Sequence, residues 1–166
     1  EVVFGSQKRE TFLKDNMRAL AIDYGEKRIG LAYGDELGLA YPLAAALEPE
    51  LEGRLMHIAQ VIAQRKIDTL VVGYPLHMDG TLSAKAREVD AFIETLQKRF
   101  ALPVVKTDER LTSVQAETLG KKKFKSVKQQ QQQRRSGQTD SRAAAIFLQD
   151  YLDQIVLPDL PAIPED

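Results

Sequence analysis

The sequence predicts one α/β domain in which a mixed central sheet carries helices on both faces. Three observations lead there. Two short apolar runs near the N-terminus are separated by a tight glycine-containing turn, as in a hairpin. Further along, segments of helical period alternate with β-branched runs of strand length. The chain has 166 residues, the size of one domain, with no internal repeat.

Arg18–Tyr24 (RALAIDY) is the first strand, bounded by Gly25, and Ile29–Tyr33 (IGLAY) returns antiparallel to it after the turn. A third strand falls around Leu39–Leu43, where Pro42 places it at a sheet edge. From Leu51 the period changes: Leu51, Leu55, Ile58 and Ile62 form one helical stripe. Thr69–Gly73 (TLVVG) then reads as a strand buried on both faces. Ser83–Phe100 is a second amphipathic helix with Val89, Phe92, Ile93, Leu96 and Phe100 on one side, and Pro103–Thr107 is the next strand. Thr112 opens a further helix with a capping-box pattern ending at Gln115. The final helix spans about Thr139–Asp153, with Ala144, Phe147, Leu148 and Tyr151 inward and Asp140 on the same stripe.

Three segments fall outside this pattern. Residues 1–16 precede Met17 and read as an extension outside the fold, with an extra strand at Val2–Phe4 as the alternative. The domain proper covers 17–155. A proline-rich acidic tail, 156–166, has the composition of an extended or disordered segment. Gly120–Gly137 lacks periodicity and combines a basic run with five consecutive glutamines, the composition of a mobile loop.

Composition narrows the chemistry. With no cysteine there is no disulfide, zinc–thiolate site or thiol nucleophile, which suits a reducing cytoplasm. No apolar run approaches the roughly 18–20 residues that cross a bilayer. Net charge is −1, so any attraction for nucleic acid must be local. Lys121, Lys122, Lys123, Lys125, Lys128, Arg134 and Arg135 supply such a field, with no acid among them. Its functional reading is an electrostatic clamp on phosphates; its structural reading is a solvated charge run.

The acids carry the chemical signal. Asp23 ends the first strand beside Leu20, Ala21 and Ile22, where an ionised carboxylate is costly without a cation or partner. Ligands of α/β sheets gather at this end of the strands. Asp108 and Glu109 end a later strand, and Asp140 opens the last helix. Oxygen donors of this kind suit Mg²⁺ or Mn²⁺, and a pair of such ions could clamp both oxygens of a reacting phosphodiester. Each acid also has a plain structural reading: Asp23 as a turn residue, Asp108 or Glu109 as a partner of Arg110, and Asp140 as a first-turn residue favoured by the helix dipole. Spacing alone does not single out a nuclease.

The motifs AIDYGEKRIGLAYGD, VVGYPLHMDGT, TDERLTS and TDSRAAAIFLQDYL resemble, in order, those of the YqgF/RuvX family. These are bacterial RNase H-like proteins described as Holliday junction resolvases and as nucleases maturing the end of pre-16S ribosomal RNA. The resemblance runs from Met17 to about Leu152. It implies an RNase H-like fold and catalytic, metal-binding acids at Asp23, Glu109 and Asp140. In the D-E-R segment Glu109 is preferred, because strand alternation sends Asp108 to the other side. The glutamine-rich loop before Asp140 departs from the family pattern.

For nucleic-acid contact the candidates are Arg110, whose planar fork can hold two phosphate oxygens, the lysines and arginines of the basic loop, and Lys85 with Arg87 at the start of the second helix. His57 reads as a surface or core-edge residue. His77 follows GYPL near a strand end and could face the site. The expectation is a cytoplasmic hydrolase, monomer or homodimer, cutting structured RNA. Its rivals are junction resolution on DNA, a non-catalytic RNA-binding module, and an actin-type ATPase. The last needs two such lobes where 166 residues supply one.

Overall fold

The computed structural model describes residues 2–4, 17–75, 83–108 and 137–156. The strands among the described residues are β1 (Val2–Phe4), β2 (Ala19–Tyr24), β3 (Ile29–Gly34), β4 (Ala40–Ala46), β5 (Thr69–Tyr74) and β6 (Val104–Asp108). Three described helices are α1 (Leu51–Arg65), α2 (Ala84–Arg99) and α3 (Gln138–Val156). The sheet order is β1-β6-β5-β2-β3-β4. β2, β3 and β4 form an antiparallel meander, while β5 runs parallel to β2, and β6 parallel to β5. β4 is an edge strand, as Pro42 requires.

One expectation is corrected. Composition places residues 1–16 outside the fold, yet Val2–Phe4, the alternative strand, pairs in parallel with Val104, Val105 and Lys106 of β6. Three residues carry too little pattern to announce a strand; the exposed edge of β6 supplies the hydrogen-bonding partner. The capping box at Thr112, His77, Glu109, Arg110 and the whole basic run Lys121–Arg135 lie outside the described residues.

The two sheet faces differ in side-chain size. On one, Leu20, Ile22, Ile29, Leu31, Leu70 and Val72 pack with Leu55 and Ile58 of α1 and Val89, Phe92, Ile93 and Leu96 of α2. Leu51, expected on the inward stripe of α1, is instead exposed at its first turn. On the other face the central strands present Ala19, Ala21 and Ala32, and α3 lays Ala144, Phe147, Leu148, Tyr151 and Leu152 over them. Small sheet residues let one helix lie close to the backbone of the meander. Among the described residues no helix is long and apolar enough to cross a membrane.

Candidate active site

Alternation along β2 places Asp23 with Ala19 and Ala21 on the α3 face of the sheet. Directly across the ladder from Asp23 is Gly30 of β3. A Cβ on Gly30 would lie 2.4 Å from the carbonyl carbon and 2.7 Å from the Cβ of Asp140, so the first turn of α3 sits on a strand stripped of side chain. An isolated glycine inside a strand pattern is the sequence sign of such a close approach. The motif text contained it, but its use was not evident from the motif alone.

The helix start is fixed by two further contacts. The Ser141 hydroxyl, buried, accepts a hydrogen bond from the Leu31 backbone N–H at 3.1 Å. Gly137, at φ 72°, accepts the first backbone bond of the helix from Ser141 N–H and presses on Ala45, where a Cβ would stand 2.4 Å away. Left-handed backbone and lack of space both call for glycine there. Asp140 therefore keeps its dipole-favoured first-turn position and also faces the strand end that holds Asp23.

Asp23 and Asp140 line one open cleft of ≈ 500 Å³, together with the β2–β3 turn and with Lys85 and Glu88 of α2. Ser83 caps α2 by accepting from Ala86 N–H and donates to the Pro75 carbonyl, tying this wall to the end of β5. Burial pushes the Asp140 carboxyl above its ordinary range, against the opposing pull of the positive charges on Arg28 and Lys85. Arg28 Nε lies 3.6 Å from Asp140 Oδ2.

Asp108 goes elsewhere. It pairs with Tyr74, and Tyr74 lies in the core beneath α2, where its hydroxyl donates to Asp90. Lys106, two residues earlier, also reaches Asp90, at 2.9 Å. Asp108 thus projects on the α2 side, away from the face shared by Asp23 and Asp140. Among the described residues no group of three or more His, Cys, Asp or Glu is gathered to hold a metal. His57 is a core-edge residue, its Nδ1 2.8 Å from Glu48 Oε1. Arg28 and Glu88 in the cleft were not singled out by sequence reasoning. Arg28 stands inside the GEKRIG stretch, but nothing local tells which turn residue will meet a helix 110 positions later.

A family model described as "RuvX: Holliday junction resolvase" matches residues 17–154. The chain belongs to the RuvX family. Its mixed central sheet with helices on both faces is the architecture that the sequence predicted. A RuvX relative from Opitutus terrae, named "Putative pre-16S rRNA nuclease", is 48% identical over 147 residues, covering 87% of this chain and 97% of its own. One from Picosynechococcus with the same name is 45% identical over 136 residues, covering 81% and 91%. Among solved structures, T. thermophilus RuvC in complex with a Holliday junction substrate aligns with a TM-score of 0.45 at 15% identity. That alignment covers 82% of this chain and 94% of that one.

Proposed function

We propose that this RuvX protein is a divalent-metal-dependent nuclease that hydrolyses phosphodiesters of structured nucleic acid, with precursor 16S ribosomal RNA as its substrate. The observation that carries this reading is the meeting of Asp23 and Asp140 at the carboxyl end of β2. Two chain positions more than a hundred residues apart bring acids to the cleft wall, and β3 gives up a side chain to allow it. The names of the relatives in Opitutus and Picosynechococcus supply the substrate.

The donors present fit a hard cation. Asp23 and Asp140 offer oxygen only, and the half-buried Asp140 gains from a positive charge that offsets its lost hydration. These two acids would hold the ion, with Glu109 as the expected third ligand. Mg²⁺ or Mn²⁺ would polarise the phosphoryl group and lower the pKa of the attacking water. Arg28 and Lys85, which both line the cleft, offer positive charge to the phosphate oxygens. Arg110 and the lysines and arginines of the basic run are the further candidates for phosphate contact that the sequence offers.

The description of the family model supports a second substrate, the four-way DNA junction. One experiment separates the two: precursor 16S RNA, four-way junctions and plain duplexes are offered side by side with Mg²⁺ or Mn²⁺. Metal-dependent cleavage of the RNA, lost in Asp23→Asn, is the expected outcome. Cleavage of junctions with the RNA untouched would make DNA the substrate. No cleavage of any of them would sink the nuclease reading.

A further inference from the structure

Three residues of α2 show how that helix is seated along the cleft. Lys85, Glu88 and Phe92 follow one another at spacings of three and four, so they share one narrow strip of the helix surface. At one end of the strip Phe92, buried, stacks on the ring of Tyr24 with centroids 4.5 Å apart, and Tyr24 follows Asp23 in β2. At the other end the positive charge of Lys85 acts on the Asp140 carboxyl. Glu88 stands between these two points, exposed, and lines the cleft together with Asp23 and Asp140.

The fold, and not its own contacts, sets where Glu88 lies. Ser83 caps α2 and ties it to Pro75, and Asp90 accepts from Tyr74 and Lys106, each at 2.9 Å. The Glu88 carboxylate itself makes no hydrogen bond or ion pair among the described residues. An acid in this place repels phosphate oxygens. A cation would offset that repulsion at Asp23 and Asp140, but among the described residues no three acids are gathered around one metal position. A carboxylate accepts hydrogen bonds and donates none, so what it can hold in a nucleic acid is a neutral donor. Nucleic acids offer two kinds, the amino groups of bases and the 2′-hydroxyl of ribose. Only some bases carry the amino group, whereas every ribose carries the hydroxyl, beside the phosphate that follows it.

We propose that Glu88 is a specificity-determining residue, whose carboxylate accepts the 2′-hydroxyl of a ribose next to the phosphate in the cleft and so selects RNA over DNA. The inference rests on the nuclease reading and supplies the group that tells its two substrates apart. Lys85, one turn earlier, offers its charge to the phosphate while Glu88 offers an acceptor to the sugar. Deoxyribose leaves the repulsion in place and removes the bond, so the same acid favours one strand chemistry and disfavours the other.

The test is binding without turnover, in Ca²⁺, of three fluorescent hairpins of one sequence: RNA, its 2′-fluoro analogue and DNA. The fluoro form keeps the base amino groups and a ribose-like pucker and lacks the hydroxyl donor. Glu88 is exposed on a helix, so Glu88→Ala should fold as wild type does. Wild type should bind RNA about tenfold more tightly than the fluoro form, as a hydrogen bond to a charged group allows. In Glu88→Ala the preference should vanish: RNA weakens by about three- to fivefold, and the fluoro and DNA hairpins tighten by about two- to threefold as the repulsion goes. Glu88→Gln, which keeps an acceptor without the charge, should retain part of the preference. Equal tightening of all three hairpins in Glu88→Ala makes Glu88 a bystander charge and overturns the proposal. So does a wild type that binds RNA and its fluoro form alike. Cleavage of precursor 16S RNA by wild type in Mn²⁺ is scored separately. Its absence beside an intact RNA preference removes the nuclease reading and leaves the contact. Its presence beside an unchanged preference in Glu88→Ala removes the contact and leaves the nuclease.

Discussion

Gly30 and Asp140 are in backbone contact: a Cβ on Gly30 would stand 2.4 Å from the Asp140 carbonyl carbon, closer than real Cβ atoms come to any neighbour. Because Gly30 is the ladder partner of Asp23, the one missing side chain sets how near the two acids come. Gly30→Ala must push the first turn of α3 off β3. The expected cost is about 1–3 kcal/mol of stability from overpacking. Cleavage should fall by about a hundredfold, since a misplacement of roughly 1 Å at a reacting centre has that effect. Thermal melts and single-turnover cleavage check both parts. A variant with wild-type turnover would show that the spacing of Asp23 and Asp140 is not used.

Asp23→Asn should lower cleavage by more than about a hundredfold, beyond what loss of an outer-sphere partner of a metal costs. Its circular dichroism spectrum and melting temperature should stay close to wild type. Asp108→Asn should cost much less than Glu109→Gln, because Asp108 is paired with Tyr74 on the α2 side of the sheet. The four proteins are compared at saturating Mn²⁺. A folded Asp23→Asn with normal turnover would make Asp23 structural, and a reversed order at 108 and 109 would move the ligand to Asp108.

The Glu48–His57 pair gives a prediction in acid. Burial by itself would raise the Glu48 carboxyl. The hydrogen bond with His57 and those from the backbone outweigh it, so the group titrates below its ordinary 4.5. A folded-state pKa below the unfolded one contributes stability above the unfolded value and loses it as pH falls through the folded value. The melting-temperature gap between wild type and Glu48→Gln should thus hold steady from neutrality to about pH 5 and close below it. A gap that persists at pH 3 would mean that packing at Glu48, and not its charge, makes the difference.

Deleting residues 1–16 removes β1 and leaves β6 as the bare edge of the sheet. Loss of one short ladder, about 1 kcal/mol, corresponds to a fall of about 2–4 °C in a domain of this size. Differential scanning calorimetry of the two lengths measures it. An unchanged melting point would return the segment to the appendage that its sequence suggests.

Local pattern alone determined most of the element order. The stripe Ala144, Phe147, Leu148 and Tyr151 is buried as its period requires, and β5 is buried on both faces as its unbroken apolar run requires. Ser83 and Phe100 bracket α2 as its cap and its end. Such features depend on neighbours within a few residues, and a sequence window contains them. Asp23 and Asp140 were legible as candidates because an acid at a strand end and another on a buried helical stripe are each out of place. Glu109, Arg110 and the basic run were read from sequence alone. Tertiary structure decided the rest: that Arg28 meets Asp140, that Gly30 exists to let α3 down onto β3, that Leu51 turns outward, and that Val2–Phe4 finds β6. Each of these depends on strand register or helix seating between segments far apart in the chain. Those distances are set by how side chains of different size fill the space between layers, and no local window holds that information.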